Sequence, residues 1–210
     1  MKELSWMPYL LWSLIGYLSG SVLYGYLIPK YFNHLDVCKI SDDGNPGTAN
    51  AYKYAGFWTG TAVLLCELLK AFFPVFLAAR MIDSARLPFA FVMASPVAGH
   101  AFSAFFKGKG GKAIAASFGV LLALFPNLFP FAALALFYIL FSTVIIISPH
   151  LFRSVITFLL FTVTVFIKVS VPSIRLGCGL ISAITIKKHL KSFNGETLKV
   201  RMIWQRKFSG

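Results

Sequence analysis

Acidic residues are scarce. The chain has seven Asp and Glu among 210 residues, and they form no grouping that would hold a hard metal ion. Cysteine is equally sparse. Cys38, Cys66 and Cys178 are odd in number and widely spaced, which excludes a disulfide framework and the short paired spacings of a metal site; they read as small apolar residues. Charged residues make up 13% and hydrophobic residues 58%, with 22 Phe. A soluble domain carries about 25% charged and about 45–50% apolar residues, and much of its surface faces water. The mean hydropathy of +0.75 therefore excludes an ordinary cytosolic domain, a disordered chain and a disulfide scaffold. An integral membrane protein is expected.

What charge there is has one sign. Twenty Lys and Arg give a net charge of +13. The basic residues lie in loops between apolar stretches and form no nucleic-acid motif, so they read as cytoplasmic loop charge and contacts for anionic headgroups. Nucleic acid is not an expected partner.

A crossing helix needs about 20 mostly apolar residues. Met7 to Ile28 carries no charge and reads as a span rather than a cleaved leader. Phe57 to Ala79 carries Glu67 and Lys70; Leu87 to Phe106 carries Pro96 and His100. Ala113 to Pro149 has no charged residue and is too long for one span, and Pro126-Asn127 with Pro130 supplies the break. Further spans are expected from Arg153 to Lys168 and from about Ser173 to Ile186, the fourth, sixth and seventh being short. The expected fold is all-α, a single polytopic membrane domain over residues 1–210 with about seven transmembrane helices. Alternate loops then divide the bases 14 to five, which predicts an outside N-terminus and a cytoplasmic C-terminus. The tail from Lys187 to Gly210 alternates basic and apolar residues and reads as an interfacial segment on anionic lipid.

Every loop rich in Gly, Asn and Lys falls on the cytoplasmic side. The first runs Ser41-Asp42-Asp43-Gly44-Asn45-Pro46-Gly47-Thr48-Ala49-Asn50-Ala51-Tyr52-Lys53. Its turn residues hold neutral donors and one lysine, a binding loop by composition though also a turn-rich connector. The second runs from Gly99-His100 to Lys107-Gly108-Lys109-Gly110-Gly111-Lys112 and leads into an apolar helix. Glycine backbone, a helix start and lysines are what a phosphate requires, and equally what a flexible basic loop contains. It is not a Walker A loop, because Phe106 and Ala113 stand where Gly and Ser or Thr are needed. Glu67 and Lys70, three apart on one helix face, are expected to pair, a proton or ion path being the alternative. His100 near a span end is either structural or a group for proton transfer or phosphate contact.

Taken together these segments resemble the bacterial acyl-phosphate:glycerol-3-phosphate acyltransferases of the PlsY type, over most of the chain. The resemblance is carried by Gly20-Ser21 with Gly25, by the loop from Asp42 to Lys53, by Glu67 and Lys70, and most specifically by Gly99-His100-Ala101-Phe102-Ser103-Ala104-Phe105 and Lys109-Gly110-Gly111-Lys112-Ala113. Several positions depart from the family pattern. Asp43 replaces Ser, Lys53 replaces Arg, Ser103 replaces Pro, and Ala113 replaces the last Gly. The third family motif survives only as the run from Lys188 to Glu196.

The resemblance implies transfer of a fatty acyl group from acyl phosphate to the 1-hydroxyl of glycerol 3-phosphate, giving lysophosphatidic acid, at a bacterial cell membrane and with no cofactor or metal. It implies His100, Asn45 and Lys112 as catalytic candidates. Ser21, Gly47, Asn50, Lys53, Lys109, Gly110 and Gly111 are the candidates for substrate phosphate. An inactive or altered-acceptor relative and a transporter of a phosphorylated or anionic lipid-like solute are the alternatives.

Overall fold

In the computed structural model, residues 5–191, 193 and 195–204 are described. The first apolar stretch is not one helix. α1 (Met7–Ser21) ends at Ser21, the chain is extended at Val22 and non-helical at Leu23, and α2 (Tyr24–Phe32) resumes. Two short helices follow in the first loop, α3 (Val37–Ile40) and α4 (Thr48–Ala55). α5 (Phe57–Met81) continues through Pro74, and α6 (Phe89–Ala101) through Pro96. A 3-10 turn at Ala104–Phe106 ends the third stretch.

The break expected at Pro126–Pro130 is present: α7 (Ile114–Leu122) stops before it, and α8 (Phe129–Ile139) starts with Pro130 in its first turn. A π-helical turn at Leu140–Val144 then leads into strand β1 (Ile145–Ser148). α9 (His150–Lys168), α10 (Pro172–Leu190) and strand β2 (Lys199–Met202) complete the chain. β2 pairs antiparallel with β1, Ile145 opposite Met202 and Ser148 opposite Lys199. This small sheet is an addition to the all-α expectation. Its sequence alternates Lys, Val, Arg and Met with the period of two that a strand requires.

Among the described residues, four segments are long and apolar enough to cross a membrane: Met7–Phe32, Phe57–Met81, Phe89–Phe106 and His150–Lys168. α7, at nine residues, is only about 14 Å long. α6 is the centre of the bundle, with Phe89, Val92, Met93 and Val97 fully buried. α1 lies directly against it: a Cβ at Gly20 would collide with the Pro96 carbonyl, and one at Gly99 with the Tyr17 carbonyl. α7 seats in the same way on α5, with Gly119 against the backbone of Leu68. Leu65, Leu69, Phe73 and Leu77 form an exposed stripe along α5 at four-residue spacing, the lipid-facing side of a membrane helix.

Candidate active site

The site is assembled on a buried ionic cluster. Glu67 and Lys70 face the same side of α5, as their spacing predicts, with Nζ to Oε2 at 2.5 Å and side chains 3% or less exposed. His100 of α6 joins them, its Nδ1 lying 2.8 Å from Glu67 Oε2 and 3.0 Å from Lys70 Nζ. Charges at this depth need partners, and the cluster finds them in the broken first span. Lys70 Nζ donates to the Val22 carbonyl, and the Gly25 N–H donates to Glu67 Oε1 at 3.2 Å. Two of the backbone groups freed by the break are thereby satisfied within the protein.

The second loop rests on this cluster. The Gly111 N–H donates to the His100 carbonyl at 3.0 Å, and a Cβ on Gly111 would strike the His100 ring. Ser21 fixes the other end of the loop. Its carbonyl accepts from Ser103 Oγ at 2.6 Å, and its Oγ accepts from the Ala104 N–H at 3.2 Å while donating to the Tyr17 carbonyl. Lys107 and Gly108 turn the loop with φ of 52° and 73°.

Above lies a pocket of about 270 Å³. Asp43, Gly44 and Asn45 line it from the first loop, Gly108, Lys109, Gly110 and Lys112 from the second, and Lys188 and Lys191 from the end of α10. One carboxylate sits among these cations. Lys112 Nζ donates to Asp43 Oδ2 at 2.8 Å, Asn50 Nδ2 to Oδ1 at 2.8 Å, and the Asn45 N–H to Oδ1 at 3.2 Å. Burial works to raise the Asp43 pKa, but Lys112 and the two amide donors outweigh it and hold the carboxyl below its ordinary value. A pocket lined by Lys109, Lys112, Lys188 and Lys191 around one carboxylate suits an anionic group such as a phosphate.

A family model described as glycerol-3-phosphate acyltransferase matches residues 10–195. The chain belongs to the glycerol-3-phosphate acyltransferase family. Among its relatives, the glycerol-3-phosphate acyltransferase of Thermotoga petrophila is 39% identical over 118 residues, covering 56% of this chain and 59% of that one. Glycerol-3-phosphate acyltransferase 1 of Thermotoga maritima is 42% identical over 107 residues, covering 50% and 52%. The Myxococcus xanthus protein is 37% identical over 114 residues, covering 54% and 59%. The chain thus spans less than two thirds of the length of these relatives. The match to a solved structure is broader. The crystal structure of PlsY (YgiH), an integral membrane glycerol 3-phosphate acyltransferase, in its glycerol 3-phosphate form, superposes with a TM-score of 0.73 at 25% identity, over 87% of this chain and 88% of that one. Its lysophosphatidic acid form gives 0.69.

In this member of the family, the candidates read from the sequence separate into two groups. Asn45, Lys109, Gly110 and Lys112 line the pocket, and Asn50 reaches it through Asp43. The others do not line it. Lys53 turns outward to Asp42 at 3.2 Å and lies 4.8 Å from the Tyr54 ring. Gly47 caps the start of α4. His100, Ser21 and Gly111 are buried beneath the loop rather than open to the pocket.

One further residue was not singled out by the sequence. His189 is 1% exposed, neither ring nitrogen has a hydrogen-bond partner among the described residues, and it lies within electrostatic range of Lys112, Asp43 and His150. It belongs to the run from Lys188 to Glu196, so the eroded third motif was the available signal. Ser192 and Asn194 of that run, and the tail beyond Trp204, lie outside the described residues.

Proposed function

We propose that this protein transfers a fatty acyl group from acyl phosphate to the 1-hydroxyl of glycerol 3-phosphate, forming lysophosphatidic acid for phospholipid synthesis. The observation that carries this reading is the pocket where Asn45, Lys109, Gly110 and Lys112 meet the lysines at the end of α10, in a chain of this family. Both substrates bear phosphate, and the lysine cations with the asparagine amides offset their repulsion while holding them in register. Lys109, Gly110 and Lys112 hold one phosphate. Asn45 and Asn50 take the second phosphate or the glycerol hydroxyls, and Lys53 would join them only by leaving Asp42. Gly47, Ser21, Gly111 and His100 act through the loops, which they fix in place. The ester C–O bond forms from the glycerol 1-oxygen, the bond from acyl carbon to phosphate oxygen breaks, and the hydroxyl proton leaves with the phosphate. No covalent enzyme intermediate is needed, because the donor is already activated.

The loops face the cytoplasm of a bacterial cell, with the N-terminus outside. Lys199 and Arg201 of β2, both exposed beside Leu198 and Val200, suit an anionic headgroup layer. A second reading, a relative with an altered acceptor or none, is favoured by Asp43 at the centre of the pocket.

The test is phosphate release by the purified protein in lipid, given palmitoyl phosphate with and without glycerol 3-phosphate. Release that depends on glycerol 3-phosphate, with lysophosphatidic acid formed, is expected. Lys112→Gln is expected to lower turnover roughly 100-fold, the scale of losing one charge-stabilising donor. Equal release without the acceptor, or a Lys112→Gln variant within about threefold of wild type, overturns this assignment.

A further inference from the structure

Three of the donors at this pocket are already engaged with one carboxylate. Lys112 comes from the second loop, Asn50 from α4 and the Asn45 N–H from the first loop, and all three converge on the Asp43 carboxylate at 2.8, 2.8 and 3.2 Å. A carboxylate with two oxygens among three donors is the arrangement those donors would offer to a phosphate oxygen pair. The contact is accessible: the Asp43 side chain is 36% exposed and that of Lys112 is 22% exposed. It also spans 69 residues of sequence, tying the two loops across the pocket mouth.

We propose that Asp43 is an internal anionic ligand of this pocket, an autoinhibitory latch that an incoming phosphate must displace from Lys112 and Asn50. This rests on the pocket being the phosphate site proposed above. A tethered competitor acts at a high effective concentration. It lowers the affinity of every anion that needs Lys112 by the same factor, the fraction of time the latch is open. It does not change which phosphate is preferred. A carboxylate that instead contacted the glycerol hydroxyls would act in opposite directions on the two ligands.

The experiment is titration of the full chain, in discs of uncharged-headgroup lipid at constant ionic strength, with inorganic phosphate and separately with glycerol 3-phosphate. Wild type is compared with Asp43→Ser and Asp43→Asn. Asp43→Asn keeps the size of the side chain and its turn contact, so a fold defect of the serine variant does not decide the outcome. Asp36→Asn is the control: it removes the same charge from the same loop at a residue that caps α3 and does not line the pocket.

Both Asp43 variants are expected to bind inorganic phosphate and glycerol 3-phosphate tighter, by one common factor of roughly three to ten, the scale of a lost charge-assisted competitor. Asp36→Asn is expected to stay within about 1.5-fold of wild type, since an exposed charge outside the pocket is screened. Unchanged or weaker phosphate binding in Asp43→Asn overturns the latch. So does tightening for phosphate with loss for glycerol 3-phosphate, or equal tightening by Asp36→Asn. Acyl transfer is assayed separately. Tighter binding without any transfer would leave the latch standing and remove the proposed reaction. Transfer with binding unaltered by Asp43 would do the reverse.

Discussion

Glu67 and Lys70 mark how far single residues could be read. Their spacing on one helix face gave the pair, because three residues along a helix bring side chains together whatever surrounds them. It did not give His100, which lies 33 positions from Glu67 and arrives only through packing of α6 on the same cluster. Nor did it give Lys53 turning to Asp42, a choice between exposed partners that composition leaves open. The pair is buried with its partners on the first span, so losing one member strands the other. Glu67→Gln is expected to cost about 3–5 kcal/mol, read as a fall in the thermal unfolding midpoint in lipid. Glu67→Gln combined with Lys70→Met should recover part of the loss, whereas two equal falls would show that no buried charge had been stranded.

At the scale of elements, the apolar stretches and the proline break between α7 and α8 were legible because hydropathy and proline act locally. The break between Ser21 and Tyr24 was not, since the groups that satisfy it come from α5. The strand pair was missed for a related reason: four residues of alternation acquire meaning only when β1 is placed beside them. Helix contact itself depends on small residues. Gly20→Val would drive a side chain into the Pro96 backbone and is expected to cost about 1–3 kcal/mol through forced separation of α1 and α6. Gly179→Ala makes the opposite case on α10, where the added Cβ meets only the edge of Phe166 at 3.5 Å. It should raise stability by about 0.5–1 kcal/mol through helix propensity. Both are checked by the same thermal measurement, and a Gly20→Val midpoint equal to wild type would refute the close contact.

At the scale of the whole molecule, the polar pocket is carried on the start of a short helix. Gly119 of α7 sits on Leu68, next to the middle of the 25-residue α5. Ile114 begins α7 only five residues earlier, about 7.5 Å along the axis, whereas half a hydrocarbon core is about 15 Å. With α5 centred across the bilayer, the Gly111–Ala113 backbone therefore lies below the headgroup plane. For the proposed reaction this changes the unit in which the donor is counted. An acyl phosphate would arrive sideways from the leaflet, so its activity is a mole fraction per area rather than a molarity. At fixed total palmitoyl phosphate and protein, inert phosphatidylcholine mixed into the same vesicles should slow turnover in proportion to the dilution. The same phosphatidylcholine supplied as separate, non-exchanging vesicles should leave it unchanged. Turnover indifferent to both would mean that the donor is taken from water, and the short helix would then have only a structural consequence. The proposed transfer would otherwise obey surface-dilution kinetics, with its speed set by how crowded the leaflet is with donor.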